Sequence, residues 1–174
     1  MAGTDGVNQY QRAFLAWPVL TETAAKNTTI TYKELGQQIG IHHRTVRLVL
    51  GVIQSYCLSE KLPPLTILVV NRDRHKPGEG FIAWDIDDLA KGTQRVYGYP
   101  WQDLSNPFAF ADGGATLDQL AQRLVTTPEA AASVYGQIRN RGIAQDVFRR
   151  ALLAAYGQRC AFCERYSIYG HLIR

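Results

Sequence analysis

The chain has 174 residues, 46% hydrophobic and 20% charged, with a net charge of +4, a balance that permits a buried core and excludes a disordered or fibrous chain. No apolar run approaches the ~20 residues of a membrane-spanning helix, and residues 1–8 lack the basic start and apolar stretch of a secretory signal, so a cytoplasmic protein without a membrane partner is expected. Three cysteines, Cys57, Cys160 and Cys163, are too few and too unevenly placed for a disulfide framework.

The charge is segregated along the chain. Residues 42–76 carry net +4, residues 77–138 net −5 and residues 139–174 net +5. Basic blocks attract phosphate backbones by releasing counterions; on charge alone a solvated basic face is the competing reading.

From the N-terminus, Tyr10, Ala13, Phe14 and Trp17 fall at helical spacing until Pro18, which is expected to stop the run. A second short helix is expected over Val19–Lys26, and a turn at Asn27-Thr28-Thr29. Thr31-Tyr32-Lys33-Glu34 has the form of a capping box and opens a helix to Ile39 that Gly40 closes. A tight turn through His42 and His43 leads to a helix over Arg44–Tyr56. Val46, Val49, Leu50, Val52 and Ile53 form its apolar stripe, with Arg44, Arg47 and Gln54 off it. Two short helices around a tight turn, the second opening with arginines, have helix-turn-helix form, which many helical hairpins that bind nothing share.

The β-branched run Leu65–Val70 predicts a buried strand, and Phe81–Trp84 a second strand pairing back on it. Between them lies a polar, turn-rich loop carrying Arg72, Arg74, His75 and Lys76, placed as the wing of a winged helix. Residues 85–90 predict a helical turn, and residues 91–114, rich in glycine, proline and aromatics, a linker. A second capping box, Thr116 to Gln119, opens a helix to Val125, and Pro128 starts another to about Arg139. The last predicted helix, Gln145–Tyr156, places Val147, Phe148, Ala151, Leu152 and Ala155 on one side, with Gly157 as its cap.

Residues 9–81 resemble the DNA-binding domain of the alkylguanine alkyltransferases and of their non-transferring relatives, the alkyltransferase-like proteins. The resemblance lies in the order of Tyr10–Leu15, Thr29–Leu35, Arg47–Ile53, Leu62-Pro63-Pro64 and Val69-Val70. It implies a recognition helix in the minor groove, with Arg47 filling the gap left by a flipped base; a surface arginine on phosphate is the plainer alternative. The family's alkyl-accepting Pro-Cys-His-Arg motif is replaced here by Thr66-Ile67-Leu68-Val69. Without Cys or His in that stretch, alkyl transfer is excluded. Cys57 reads as a core filler, and His42 and His43 as turn residues or phosphate contacts.

Residues 139–163 are similar to the stretch leading into HNH nuclease domains of the restriction type, through Arg141, Gln145, Phe148-Arg149, Leu152-Leu153, Tyr156-Gly157 and Cys160-Ala161. The resemblance implies a ββα-metal element with a general-base His and a divalent metal. The eleven residues after Cys163 hold one His, His171, and no Asn, so the element is expected to be incomplete. Cys160 and Cys163 form half of a two-pair zinc pattern with His171 as candidate third ligand; two ordinary reduced thiols are the alternative. Zinc is the candidate cofactor, and magnesium enters where another chain completes a nuclease site.

The expected fold is mainly α with a small β wing. It comprises a winged helix-turn-helix domain over 1–84, a linker and helical segment over 85–138, and a leader helix with a truncated HNH-like element over 139–174. The candidate DNA contacts are His42, His43, Arg44, Arg47, Arg72, Arg74, His75, Lys76 and Arg149. The expected function is recognition of double-stranded DNA, modified bases included, as a module of an HNH restriction-type endonuclease. Cleavage is lost or supplied elsewhere, and a nuclease subunit or a second copy is the candidate protein partner. A DNA-binding regulator or damage sensor without nuclease activity is the alternative.

Overall fold

Asn8 opens the first helix, its side-chain oxygen accepting from the amides of Tyr10 and Gln11. In the computed structural model, which describes residues 8–138, 141–157, 159, 167–168 and 171–172, this helix is α1, Gln9–Ala25, and it runs through Pro18 without stopping. The expectation of two helices broken at Pro18 is corrected. Ala13, Ala16, Trp17, Leu20 and Ala24 form one unbroken buried face across the proline. Proline removes the amide that would bond the Phe14 carbonyl. The side chain of Asn106 supplies the missing donor, reaching the Phe14 carbonyl at 2.8 Å.

The predicted capping box forms: the Thr31 hydroxyl accepts from the Glu34 amide at 3.2 Å, and a Glu34 oxygen accepts from the Thr31 amide at 2.8 Å. It starts α2, Tyr32–Gln38. Gly40, at φ 70°, makes the left-handed turn after it. The His42 ring then accepts from the Arg44 amide at 3.3 Å and caps a 3-10 turn, His43–Thr45, that runs into α3, Val46–Ser59. A Cβ on Gly36 would meet the Ile41 carbonyl at 2.8 Å, so α2 and this turn approach too closely for any larger residue there.

Only the end of the expected strand at Leu65–Val70 is extended. Leu65–Leu68 is a 3-10 turn, and Val69–Val70 is β2, which pairs in parallel with β1, Ile30–Thr31. Phe81–Trp84 forms no strand, so the expected two-stranded wing is not there. The Gln54 side chain bonds the backbone there instead, donating to the Gly80 carbonyl at 3.2 Å and accepting from the Ile82 amide at 3.0 Å, so these two groups are satisfied without a partner strand.

The segment read as a linker is ordered structure within the same unit. A 3-10 turn at Ile86–Asp88 leads into α4, Leu89–Tyr97, and further 3-10 turns cover Trp101–Asp103 and Ala109–Gly114. Trp101, Phe108 and Phe110 are buried. Trp17 sits among Tyr56, Trp101 and Phe108, with ring centroids 5.4, 5.8 and 5.9 Å away in edge-on contact, each such pair adding about 0.5–1.5 kcal/mol beyond its buried area. The chain divides into two compact units, Met1–Gly113 and Gly114–Arg174, so residues 85–113 belong with the first.

In the second unit, the Thr116–Gln119 capping box opens α5, Leu117–Thr126. A 3-10 turn at Pro128–Ala130 precedes α6, Ala131–Gln137, and α7 spans Arg141–Ala155. Leu117, Leu120, Ala121, Val134, Val147 and Ala151 are buried, and Arg150 on α7 pairs with Asp118 at 2.7 Å and Asp146 at 3.2 Å. Of the residues placed from sequence on one side of this helix, Phe148 and Leu152 are 52% and 42% exposed, whereas Val147 and Ala151 are buried. Ser167–Ile168 (β3) and His171–Leu172 (β4) pair antiparallel. The protein is mainly helical, and among the described residues no helix is long and apolar enough to cross a membrane.

Candidate nucleic-acid interface

A cleft of about 740 Å³ opens in the first unit between α3 and the loop that follows β2. Its helical side carries His43, Arg44, Arg47, Leu50, Gly51 and Gln54, and its loop side Asn71, Arg74 and Pro77–Phe81, with Tyr32 and Thr66 completing the lining. The cleft has the size of a small-ligand site. Three arginines line it against one carboxylate, Glu79, so its potential is positive.

The loop is held by its own chemistry. The Asn71 side chain accepts from the Asp73 amide at 3.0 Å, and Asn71 exchanges backbone bonds with His75 and Lys76, each 2.9 Å. His75 takes φ 50° to close this turn. Further on, the Gly78 amide donates to the Tyr32 hydroxyl at 2.9 Å, and Gln54 clamps Gly80 and Ile82. The basic loop is therefore anchored to α2 and α3 by two polar side chains rather than by a strand ladder.

His42, His43, Arg44 and Arg47 are exposed at the start of α3, and Arg72, Arg74, His75 and Lys76 are exposed on the loop. Of these, His43, Arg44, Arg47 and Arg74 come together around the cleft; His42, Arg72, His75 and Lys76 do not line it. Arg44, Arg47, Arg74 and Lys76 form no salt bridge among the described residues. The His42 and His43 rings are in tilted contact, with centroids 4.1 Å apart and planes inclined at 35°. Desolvation, with the neighbouring His42, Arg44 and Lys33 charges, holds His43 below the usual histidine range. Arg149, exposed on α7, belongs to the second unit.

Gln54, Tyr32, Thr66 and Phe81 were not among the residues singled out from sequence. Gln54 was placed off the apolar stripe of α3, yet it is 8% exposed. It follows Val46 and Leu50 at steps of four, which puts its amide on the buried face. The Thr66 hydroxyl lies in a turn whose four residues are all buried, and it has no hydrogen-bond partner among the described residues. Cys57 is 1% exposed, and burial pushes its thiol up to about 12, far from a nucleophilic thiolate.

Cys160 and Cys163 lie outside the described residues, and only the backbone of His171 is described, in β4. Among the described residues no group of three or more His, Cys, Asp or Glu side chains is placed to hold a metal ion. No protein-family model, no curated protein and no solved structure matches this chain.

Proposed function

We propose that the first unit binds double-stranded DNA, laying the His42–Arg47 turn and the start of α3 against the duplex with the Arg72–Lys76 loop beside it. The single observation that carries this reading is the cleft between those two basic segments, lined by Arg44, Arg47 and Arg74. Guanidinium groups without carboxylate partners suit phosphate oxygens, to which they donate two hydrogen bonds at once. The helix-turn-helix with a basic loop in the wing position is the corresponding fold reading, and it agrees with the resemblance to alkyltransferase-like DNA-binding domains.

The cleft extends the reading from the backbone of DNA to its bases. Tyr32, Phe81, Leu50 and Pro77 give it flat or apolar walls, and Asn71 and Thr66 give it polar points. A single nucleobase turned out of the stack fits that chemistry, with the exposed Arg47 on the helical side to occupy the vacated place. This favours the second reading, a sensor of damaged or modified bases, on an observation of its own. The affiliation with an HNH restriction-type endonuclease, cleavage being lost or supplied by another chain, rests on the resemblance of residues 139–163 alone.

The test is a titration of the whole chain against duplex DNA, unmodified and mismatched, with a magnesium lane for cleavage. Salt-sensitive binding without cleavage supports a recognition module. Binding with magnesium-dependent nicking returns the nuclease to this chain. Absence of binding removes the proposal.

A further inference from the structure

We propose that the Thr66 hydroxyl is a specificity contact of the cleft it lines, donating to or accepting from a ring nitrogen or carbonyl oxygen of the base that enters it. The inference rests on the DNA reading above and adds the residue that would distinguish one base from another. Thr66 is the one polar side chain in the turn Leu65–Leu68, and its neighbours Leu65, Ile67 and Leu68 are each at most 2% exposed. Thr66 itself is 3% exposed and lines the cleft. Its hydroxyl is buried and has no hydrogen-bond partner among the described residues.

A buried hydroxyl in that state destabilises the fold, whereas valine has the same shape without the cost. Threonine at this place is explained when its partner arrives with the ligand. The uncharged polar side chains that line the cleft beside Thr66 each hold a hydrogen bond: the Gln54 amide bridges Gly80 and Ile82, the Tyr32 oxygen accepts from Gly78, and the Asn71 oxygen accepts from Asp73. Thr66 is left with both its donor and its acceptor to offer. A site that hydrogen-bonds a ligand rejects analogues lacking the matching atom more strongly than an apolar pocket does, because its own buried group then stays unpaired.

The experiment compares the full chain with Thr66→Val and Thr66→Ser on two short duplexes. One is fully paired, and the other carries 2-aminopurine at a mismatched position, whose fluorescence rises when the base leaves the stack. The expected wild-type result is tighter binding to the second duplex with a rise in fluorescence. Thr66→Val loses about three- to tenfold of the preference for the second duplex over the paired one and melts at a higher temperature than wild type. Thr66→Ser keeps the preference. Thr66→Val that retains both preference and fluorescence overturns the role of Thr66 and leaves DNA binding standing. Wild-type protein that binds both duplexes equally, without a fluorescence change, overturns base reading while groove binding survives. Wild-type protein that binds neither duplex overturns the DNA reading and this inference together.

Discussion

Gln54 holds Gly80. From the buried face of α3 its amide donates to the Gly80 carbonyl at 3.2 Å and accepts from the Ile82 amide at 3.0 Å, and so fixes the far end of the basic loop against the helix that carries Arg44 and Arg47. Replacing Gln54 with Leu keeps the volume and removes both bonds. The expected cost is about 1–3 kcal/mol, read as a lower denaturation midpoint, together with faster hydrogen exchange at the Ile82 amide. Unchanged exchange at Ile82 would show that the loop is held by other means.

Asn106 compensates for Pro18. Because the proline has no amide, the Phe14 carbonyl depends on the Asn106 side chain at 2.8 Å, while the Asn106 oxygen accepts from the Phe108 amide at 3.0 Å. Asn106→Ala is expected to destabilise the protein by about 1–2 kcal/mol. In a Pro18→Ala background the restored amide at position 18 bonds Phe14 along the helix, so the same change costs less. A double-mutant cycle by thermal denaturation measures the difference; strict additivity would mean the two positions are independent.

These two side chains mark the boundary of what could be read from sequence. Local chemistry was legible. Both capping boxes, Thr31 with Glu34 and Thr116 with Gln119, form as read because donor and acceptor lie three residues apart. The basic turn and loop were also legible, since charge needs no fold to be counted. The helix through Pro18 was not, because the residue that rescues it lies 92 positions from the carbonyl it serves. The wing strand failed for a related reason: β-branched residues at 65–70 suit a buried 3-10 turn as well as a strand, and one glutamine side chain, rather than a strand ladder, bonds the backbone at Gly80 and Ile82. Thr66 gave no signal, since an unpartnered hydroxyl becomes visible only when every neighbour is placed.

The arginines divide into two groups with different expected effects. Arg47 stands at the cleft on α3, so Arg47→Ala should reduce the preference for a mismatched or modified duplex, by about 1–3 kcal/mol where a base contact is lost. Neutralising Arg72, Arg74 and Lys76 together should weaken binding to all duplexes and reduce the salt slope by up to about 3. Competition binding on paired and mismatched duplexes separates the two. Equal, small effects of both changes would contradict the assignment.

On the proposed reading, DNA binding is proton-linked through His43. Its pKa in the free protein lies below the ordinary 6.5, through desolvation first and then the neighbouring His42, Arg44 and Lys33. A phosphate beside it favours the charged form. DNA binding should therefore take up protons, and affinity should rise as pH falls through that range. Stability moves the other way: the depressed value means that its contribution is present above about pH 6.5 and lost below it. His43→Asn should flatten the rise in affinity between pH 8 and pH 6. An equally steep pH profile in that variant would place the linkage elsewhere.

On the proposed reading, the Arg-lined face of the first unit is a duplex-binding surface. The most direct measurement is the equilibrium affinity of the whole chain for a fluorescent duplex across a series of salt concentrations. A linear fall of log K with log salt, at roughly 0.9 per phosphate neutralised, with a slope that shrinks when Arg44, Arg47 and Arg74 are replaced by alanine, is the expected result. Affinity that is absent at low salt, or that is present but indifferent to salt and to those three arginines, would contradict it.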